Sequence, residues 1–271
     1  MEAFETKIHR QSAWQIQRSV VFGIFIRELE NRFGRYALGY LWAPLEPLVY
    51  VIVLSLVRGR FAAGDIGGIS PVVFFASGVL GYIFFRQIPI TSLSCVESNQ
   101  GLFNYQRVKP ADIFVARFIL ESLIILFVAV LLFPLLLGVG QDFTINDPLR
   151  LFAVLATFLV FVAGLGLTCT ALGPLWIEAK KVLPLLIRPM FFISGIFFPL
   201  VSVPVALRSY LTWNPVLHAL ELTRDAAFVG YNLAPEVSFS FLFWCAVISF
   251  AFGLSVYRLL RIKIVTSGTI R

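Results

Sequence analysis

Five long uncharged stretches constrain this sequence more than any other feature. A bilayer core of about 30 Å needs roughly 20 apolar residues per crossing helix, because backbone polar groups cannot stay unpaired there. The stretches approach or exceed that length: Ile69–Phe85, Ser122–Gln141, Leu151–Ile177, Pro189–Leu207 and Val237–Tyr257. A sixth, Gly39–Val57, is interrupted only by Glu46. Since 59% of the residues are hydrophobic and the mean hydropathy is +0.87, we predict an all-α polytopic membrane protein with six transmembrane helices.

The six predicted spans take up most of the chain and leave no room for a second soluble domain. We therefore predict a single transmembrane domain over residues 1–271. Its spans are expected at about 38–58, 70–92, 113–138, 150–176, 182–202 and 237–259. The start, Met1–Glu5, lacks the basic segment and apolar core of a cleaved signal peptide. The first span is therefore expected to act as its own insertion signal.

The placement of Lys and Arg predicts how the chain is oriented, because these residues concentrate on the cytosolic side of membrane proteins. With the N-terminus in the cytosol, seventeen of the 22 lie inside, including Lys180, Lys181 and Arg188 after the fourth span. The five outside are Arg58, Arg60, Arg150, Arg208 and Arg224. Both termini are therefore expected to be cytosolic, and the net charge of +7 reflects topology rather than binding of nucleic acid.

Residues 14–35 precede the first span and have the composition of a helix. The apolar stretch Val20–Ile26 is too short to cross a bilayer and is flanked by charged residues. This pattern fits a helix that lies in the cytosolic interface, with basic side chains near anionic headgroups. The alternative is a helix packed under the bundle.

Glu46 is the one ionisable residue within the apolar part of the first span. Pro44 and Pro47 bracket it and are expected to loosen this turn of helix. Because an ionisable group in a span is costly unless paired, Glu46 is a functional candidate. The alternative is a local structural role, with Arg32 or Arg35 as its ion-pair partner.

Residues 95–110 form a cytosolic loop between the second and third predicted spans. The loop mixes polar residues with exposed apolar ones, and Gly101 and Pro110 interrupt regular structure. A cytosolic loop of this kind is a candidate docking site for a partner protein. The residues we single out are Gln100, Gly101, Leu102, Phe103 and Tyr105. The alternative is a plain loop folded on the base of the bundle.

Residues 203–234 are too long for a simple turn between the fifth and sixth spans. They contain the Trp213-Asn-Pro break and an amphipathic stretch at His218–Phe228. Short apolar pieces separated by Pro predict re-entrant or surface-lying helices on the outer side. Such backbone is tolerated at membrane depth only where it lines a cavity or packs against protein. The sequence therefore favours a protein that forms a pathway.

The sequence carries none of the catalytic motifs that would indicate an enzyme. Phosphate-binding Gly-x-x-x-x-Gly-Lys-Ser/Thr, His-Glu-x-x-His and Gly-x-Ser-x-Gly are all missing. His9 and His218 are expected on opposite sides of the membrane and cannot share a metal. Cys95, Cys169 and Cys245 fit small apolar roles in or beside the spans. We therefore expect no cofactor on this chain, and any ATP that drives it would bind elsewhere.

Four stretches together resemble a known family. They are Arg32–Pro47, Asn99–Pro110, Lys181–Gly195 and Trp213–Asp225. On these residues the chain resembles the membrane-spanning permease of bacterial capsule-polysaccharide ABC exporters, within the wider type-2 ABC exporter family. The first stretch alone would indicate only the wider family, which also exports O-antigens and teichoic acids.

The resemblance implies a set of partners in the bacterial inner membrane. Two permease copies would pair with two cytosolic ATPase subunits, which bind ATP and Mg. The interfacial helix and the 95–110 loop would contact the ATPase. The substrate would be a lipid-linked, acidic capsular polysaccharide, passed to a periplasmic adaptor (co-polymerase) and an outer-membrane exporter. The rival hypotheses are export of O-antigen or teichoic acid, a membrane enzyme of envelope synthesis, and a non-transporting membrane anchor.

With such a substrate, two residue types become candidates for its pathway. Aromatic rings offer sugars a sliding surface, and the candidates are Trp42, Tyr82, Phe84 and Phe85, with belt or core packing as the alternative. Arginines complement anionic groups through forked hydrogen bonds. The candidates are Arg32 and Arg35 at the entrance and Arg58 and Arg60 at the exit, with topological or ion-pair roles as the alternative.

Overall fold

A computed structural model describes residues 12–33, 42–61, 64–104, 108–141 and 143–269. Over these ranges the protein is helical and contains no β-strand, which confirms the all-α prediction. The α-helices are α1 (Ala13–Phe33), α2 (Trp42–Phe61), α3 (Pro71–Ser94), α4 (Pro110–Gly138), α5 (Pro148–Leu172), α6 (Ala179–Ile193), α7 (Val205–Arg208), α8 (Pro215–Ala227) and α9 (Phe239–Thr269). Short 3₁₀ helices cover Glu97–Asn104 and Leu200–Ser202.

Four of these helices are long and apolar enough to cross a membrane. They are α3, α4, α5 and residues Phe239–Lys263 of α9. The other two predicted spans coincide in sequence with α2 and α6. Helix α2 carries Glu46, Arg58 and Arg60, and α6 has 15 residues, which at 1.5 Å each extend only about 22 Å. The count of six spans therefore stays a prediction.

Helix α3 occupies the centre of the bundle. The Ser70 hydroxyl accepts a hydrogen bond from the Val73 amide, and Pro71 begins the helix, so the start of α3 is well defined. Helices α2, α4, α5, α6 and α8 surround it. At Gly78 and Gly81 an added Cβ would collide with side chains of α8, so these glycines let α8 pack closely against α3.

Small residues also bring α5 and α9 together along their length. An added Cβ at Gly164 would collide with the backbone of Ser249, and one at Gly253 would collide with the Gly164 carbonyl. The Ser249 hydroxyl donates a 3.0 Å hydrogen bond to the Phe161 carbonyl across the same seam. Close backbone approach of this kind stabilises helix pairs in membranes, where lipid competes for every apolar contact.

The two ends of the bundle differ in what covers them. The α1 end contains α1, residues 97–104, the start of α4 and the end of α9, and it has a separate small core that includes Ile24, Val96 and Ile113. The α8 end contains α8, the turn at 64–70 and the connection between α4 and α5. There the Asn232 amide donates to the Gly67 carbonyl (2.9 Å) and the Asp147 amide donates to the Ala226 carbonyl (2.9 Å).

Candidate functional site

Two buried polar side chains, Glu28 and Asn99, and the partly buried Arg117 join four parts of the α1 end. Glu28 of α1 accepts a 3.0 Å hydrogen bond from the Asn99 amide at one carboxylate oxygen. Its other oxygen accepts a 2.9 Å hydrogen bond from the Arg117 guanidinium of α4. Arg117 also donates to the Thr91 carbonyl of α3 (2.8 Å), and Asn99 donates to the Cys95 carbonyl (2.8 Å). This Glu28 cluster (Glu28, Asn99 and Arg117) ties α1, the 97–104 segment, α3 and α4 at one point.

The Glu28 cluster keeps its charges. Burial by itself raises the pKa of Glu28, but Arg117, the Asn99 amide and Arg27 together outweigh burial and lower the pKa below its usual value. Glu28 is therefore ionised at neutral pH and paired with a permanently charged guanidinium. Removing one partner would leave the other charge buried without compensation, which typically costs about 3–5 kcal/mol.

Helix α1 packs along the first half of α4 through further polar pairs. Gln17 donates to Asp112, and Arg32 forms an ion pair with Glu121, on the same side of α1 as Glu28. Glu121 is buried, whereas the Arg32 side chain is 36% exposed. These contacts agree with the alternative in which the first helix packs against the bundle. Its placement in the membrane interface stays a prediction.

The predicted docking loop is a kinked 3₁₀ helix at Glu97–Asn104. Its Leu102 and Phe103 side chains are half-buried and pack against the small core of the α1 end. Gly101 is exposed, and an added Cβ there would meet open space. Glu97 forms an ion pair with Lys180 of α6. Of the other predicted docking residues, Gln100 is half-buried and Tyr105 lies outside the described residues.

The aromatic side chains predicted for the pathway lie inside the single chain where the structure describes them. Tyr82, Phe84 and Phe85 are buried in α3. The Tyr82 hydroxyl donates a 2.9 Å hydrogen bond to the Ile187 carbonyl of α6. Phe85 stacks on Phe161, with 6.5 Å between ring centroids. For Trp42 only the backbone, in α2, is described. A pathway role for these residues stays a prediction.

The charged candidates have separate surroundings. Glu46 forms an ion pair with Arg86 of α3 rather than with Arg32, one of the two partners that the sequence offered. Arg58 is half-buried, and its Nε has no hydrogen-bond partner among the residues that the structure covers. The side chain of Arg60 and all of Arg35 lie outside the description.

At the opposite end, Arg224 of α8 is fully buried and bonds to two other parts of the chain. Its guanidinium donates to the Gly195 carbonyl (2.7 Å), and to the Phe74 carbonyl and Ser77 hydroxyl of α3 (3.3 Å each). The charge lies 3.7 Å from the centre of the Phe74 ring and 3.6 Å from the Glu221 carboxylate. Arg224 therefore fixes α8 against α3 and against the turn after α6.

Asn214 and His218 lie on the same side of α8 as Glu221 and Arg224, since their spacing is four, three and three residues. The Asn214 side chain caps α8 by accepting from the Val216 amide (3.0 Å), and donates to the Ile193 carbonyl (3.2 Å). Nδ1 of His218 accepts from the Ser238 amide at the start of α9 (3.0 Å). This buried polar face attaches α8 to its neighbours. A re-entrant placement of the region stays a prediction.

The residues at the centres of the Glu28 cluster and of the buried polar face of α8 were not singled out in the sequence. Arg117 and Arg224 were counted as topological charges, and Glu28 was one of the charges that flank the apolar stretch of the first helix. One signal was present for each end. Glu28 lies at helical spacing from Val21 and Ile24, and Arg224 continues a polar face that begins at Asn214.

The described ranges offer no arrangement for a metal ion. They contain no group of three or more His, Cys, Asp and Glu side chains that could hold one. The three cysteines are free thiols, of which Cys95 is buried beside Thr170.

Comparison with known proteins gives matches along almost the whole chain. A family model described as "ABC-2 type transporter" matches residues 20–228, a range that includes the Glu28 cluster and the buried polar face of α8. The Polysialic acid transport protein KpsM of Escherichia coli is 37% identical over 257 residues, covering 95% of this chain and 99% of that protein. The Capsule polysaccharide export inner-membrane protein CtrC of Neisseria meningitidis serogroup B is 26% identical over 255 residues (92% and 95%). BexB of Haemophilus influenzae, with the same description, is 23% identical over 227 residues (84% and 85%).

Proposed function

Because this chain belongs to the ABC-2 type transporter family, we propose that it is the membrane-spanning permease of an ATP-driven capsule-polysaccharide exporter. The observation that carries the proposal is the near full-length similarity to proteins described as polysialic acid transport or capsule polysaccharide export proteins. None of these three descriptions favours O-antigen, teichoic acid or an enzymatic activity. The chain is therefore a transport subunit and not itself an enzyme.

The proposed orientation places the α1 end in the cytosol of a bacterium, with both termini on that side of the inner membrane. The excess of Lys and Arg in the corresponding segments supports this placement. Two copies of the chain would then carry two ATPase subunits, which bind ATP and Mg. The chain itself would need no cofactor.

The proposed contact with the ATPase is the segment at residues 95–110. The exposed Gly101 and the half-buried Leu102 and Phe103 support it, because they present a partly apolar surface at the α1 end. The Glu28 cluster would transmit a displacement of this segment. Asn99 lies in the segment, and through Glu28 it is bonded to α1 and to Arg117 of α4. Since the bond from Asn99 is buried and the bond from Arg117 is largely shielded from solvent, these elements should move as one unit.

The proposed substrate is an acidic, lipid-linked polysaccharide. The E. coli relative is named as a transport protein for polysialic acid, a polymer with one carboxylate on each sugar. Arginine side chains would form ion pairs with the carboxylates of such a polymer. Beyond the membrane, the polymer would pass to a periplasmic adaptor and an outer-membrane exporter.

Deletion of the gene in its native host tests the proposal. We expect surface capsule to be lost and the polymer to remain inside the cell, with both restored by the wild-type gene. Purification of the tagged chain should also recover a separate ATPase with a Walker motif. Normal surface capsule in the deletion strain would contradict the proposal.

A further inference from the structure

One exposed stripe of α6 carries two cations. Lys181, Leu185, Arg188 and Phe192 are spaced by four, three and four residues, which places them on one face of the helix, and all four are exposed. We call this face the α6 stripe. The opposite face packs on the bundle, where Ile187 is buried.

Arg188 lies near half depth of the bundle rather than at its cytosolic edge. Its neighbour Ile187 accepts a hydrogen bond from Tyr82, which is close to the middle of the 24-residue helix α3. At 1.5 Å per residue, Tyr82 is about 17 Å from each end of α3. In the sequence, Arg188 was counted with Lys180 and Lys181 among the cytosolic cations, although it also falls within the predicted fifth span at 182–202. The contact with Tyr82 places it well inside the predicted fifth span.

Arg188 has no carboxylate within ion-pair distance anywhere in the described part of the chain. Arg86, one turn of α3 from Tyr82, is instead neutralised by Glu46. The exposed face of α6 therefore keeps the positive charge of Arg188. A charged side chain at such depth is unfavourable against lipid, and these residues normally face the protein interior or water.

We propose that Arg188 binds the anionic groups of the polysaccharide as it crosses the membrane. The inference rests on the proposed function and identifies one residue of the pathway. A guanidinium can grip a carboxylate with two parallel hydrogen bonds and release it to the next sugar, since the bonding is the same for every repeat.

Two prolines leave backbone carbonyl groups of the same helix without their helical hydrogen bonds. Pro189 has no N–H, so the Leu185 carbonyl on the α6 stripe loses its helical partner, and Pro184 has the same effect on the Lys180 carbonyl. Sugar hydroxyls can donate to such carbonyls. The stripe thus offers a cation for carboxylates and acceptors for hydroxyls.

The test compares Arg188→Lys, Arg188→Gln and Arg188→Glu in the full permease–ATPase complex in cells. We expect surface export to fall slightly for Lys, about tenfold for Gln and further for Glu, with unchanged ATPase co-purification. Arg258→Gln is the matched control, because Arg258 is an exposed cation of α9 away from the stripe. Wild-type export by Arg188→Gln and Arg188→Glu would overturn the inference.

A binding measurement distinguishes a direct contact between Arg188 and the substrate from an effect on the structure of the protein. The probes are sialic acid oligomers and a neutral dextran of equal length, added to the purified complex. We expect Arg188→Gln to weaken oligomer binding about tenfold relative to wild type and to leave dextran binding unchanged. Equal oligomer binding would overturn the inference. If the Gln and Glu variants do not insert, Arg188→Ala takes their place, with the same expected loss of oligomer binding and the same contradicting result.

The proposed function can fail separately. If deletion of the whole gene leaves surface capsule unchanged, the proposed function falls, and the role of Arg188 falls with it. If deletion abolishes capsule while the Arg188 variants behave as wild type, only the role of Arg188 is contradicted.

Discussion

A carboxylate oxygen of Glu28 in α1 accepts a 2.9 Å hydrogen bond from the guanidinium of Arg117 in α4. The two residues are 89 positions apart in the chain, and the bond is largely shielded from solvent. Asn99 bonds to the same carboxylate, so the contact joins the proposed ATPase-docking segment to two helices.

Loss of either charge should disable the transporter. We expect Glu28→Ala and Arg117→Ala each to lower the free energy of unfolding by about 3–5 kcal/mol, because each leaves a buried charge unpaired. The variant with both changes should lose less than the sum of the two. Thermal unfolding in detergent and surface capsule would be measured together. Glu30→Ala, on an exposed position of α1, is the control and should behave as wild type.

Gly101 allows the docking hypothesis to be tested without disturbing packing. We expect Gly101→Asp to reduce ATPase co-purification and export at least tenfold, because it adds charge at an exposed position with open space around it. Gly101→Ala should keep both. Leu102→Asp and Phe103→Asp should also abolish export, but these half-buried residues would lose core contacts as well. Normal ATPase binding by Gly101→Asp would place the docking surface elsewhere.

A charge exchange distinguishes a pathway role of Arg32, which was predicted at the entrance, from its ion pair with Glu121. Arg32→Glu alone should lower the amount of folded protein, since it replaces the ion pair by two carboxylates, at positions 32 and 121, that repel each other. Exchanging the charges with Glu121→Arg should restore the protein level but not export, because an anion at position 32 would repel an acidic polymer. Full recovery of export would show that Arg32 acts only as a structural partner.

The helices could be predicted from the sequence, because bilayer thickness sets their length and composition. Helices α4 and α5 lie close to the predicted ranges 113–138 and 150–176, and α9 begins near the start of the predicted range 237–259 but continues to Thr269. The ion-pair partners could not be predicted, since Glu46 meets Arg86 from another helix. Nor could the burial of Tyr82, which depends on how α6 packs against α3. Hydrophobic periodicity defines a helix but not its neighbours.

Arg224 should stabilise the α8 end. We expect Arg224→Ala to lower the midpoint of thermal unfolding strongly, because the buried carboxylate of Glu221 would lose its counter-charge. Gly78→Leu should have a similar effect, since a larger side chain would displace the guanidinium. Arg208→Ala, at the ion pair with Glu236, is a milder comparison. Unchanged unfolding of Arg224→Ala would contradict this role.

His218 should make the α8 end sensitive to acid. Burial lowers its pKa, partly offset by the contact of Nε2 with the Thr212 carbonyl, and Nδ1 accepts from the Ser238 amide. With the folded-state pKa below the unfolded value near 6.5, stability is complete above that value and is lost as pH falls through the folded-state pKa. Unfolding midpoints from pH 8 to pH 5 should fall in the wild type and less steeply in His218→Gln. The same dependence of the unfolding midpoint on pH in the wild type and in His218→Gln would contradict this role of His218.

The central claim is that this chain moves an acidic polysaccharide across the inner membrane with energy from a separate ATPase. The direct measurement uses inside-out membrane vesicles that contain the chain and its ATPase, with labelled lipid-linked polymer on the outside. We predict that the polymer enters the vesicle lumen only when ATP, this chain and an ATPase with an intact Walker motif are all present. Uptake that is the same without the chain, or without ATP, would contradict the account.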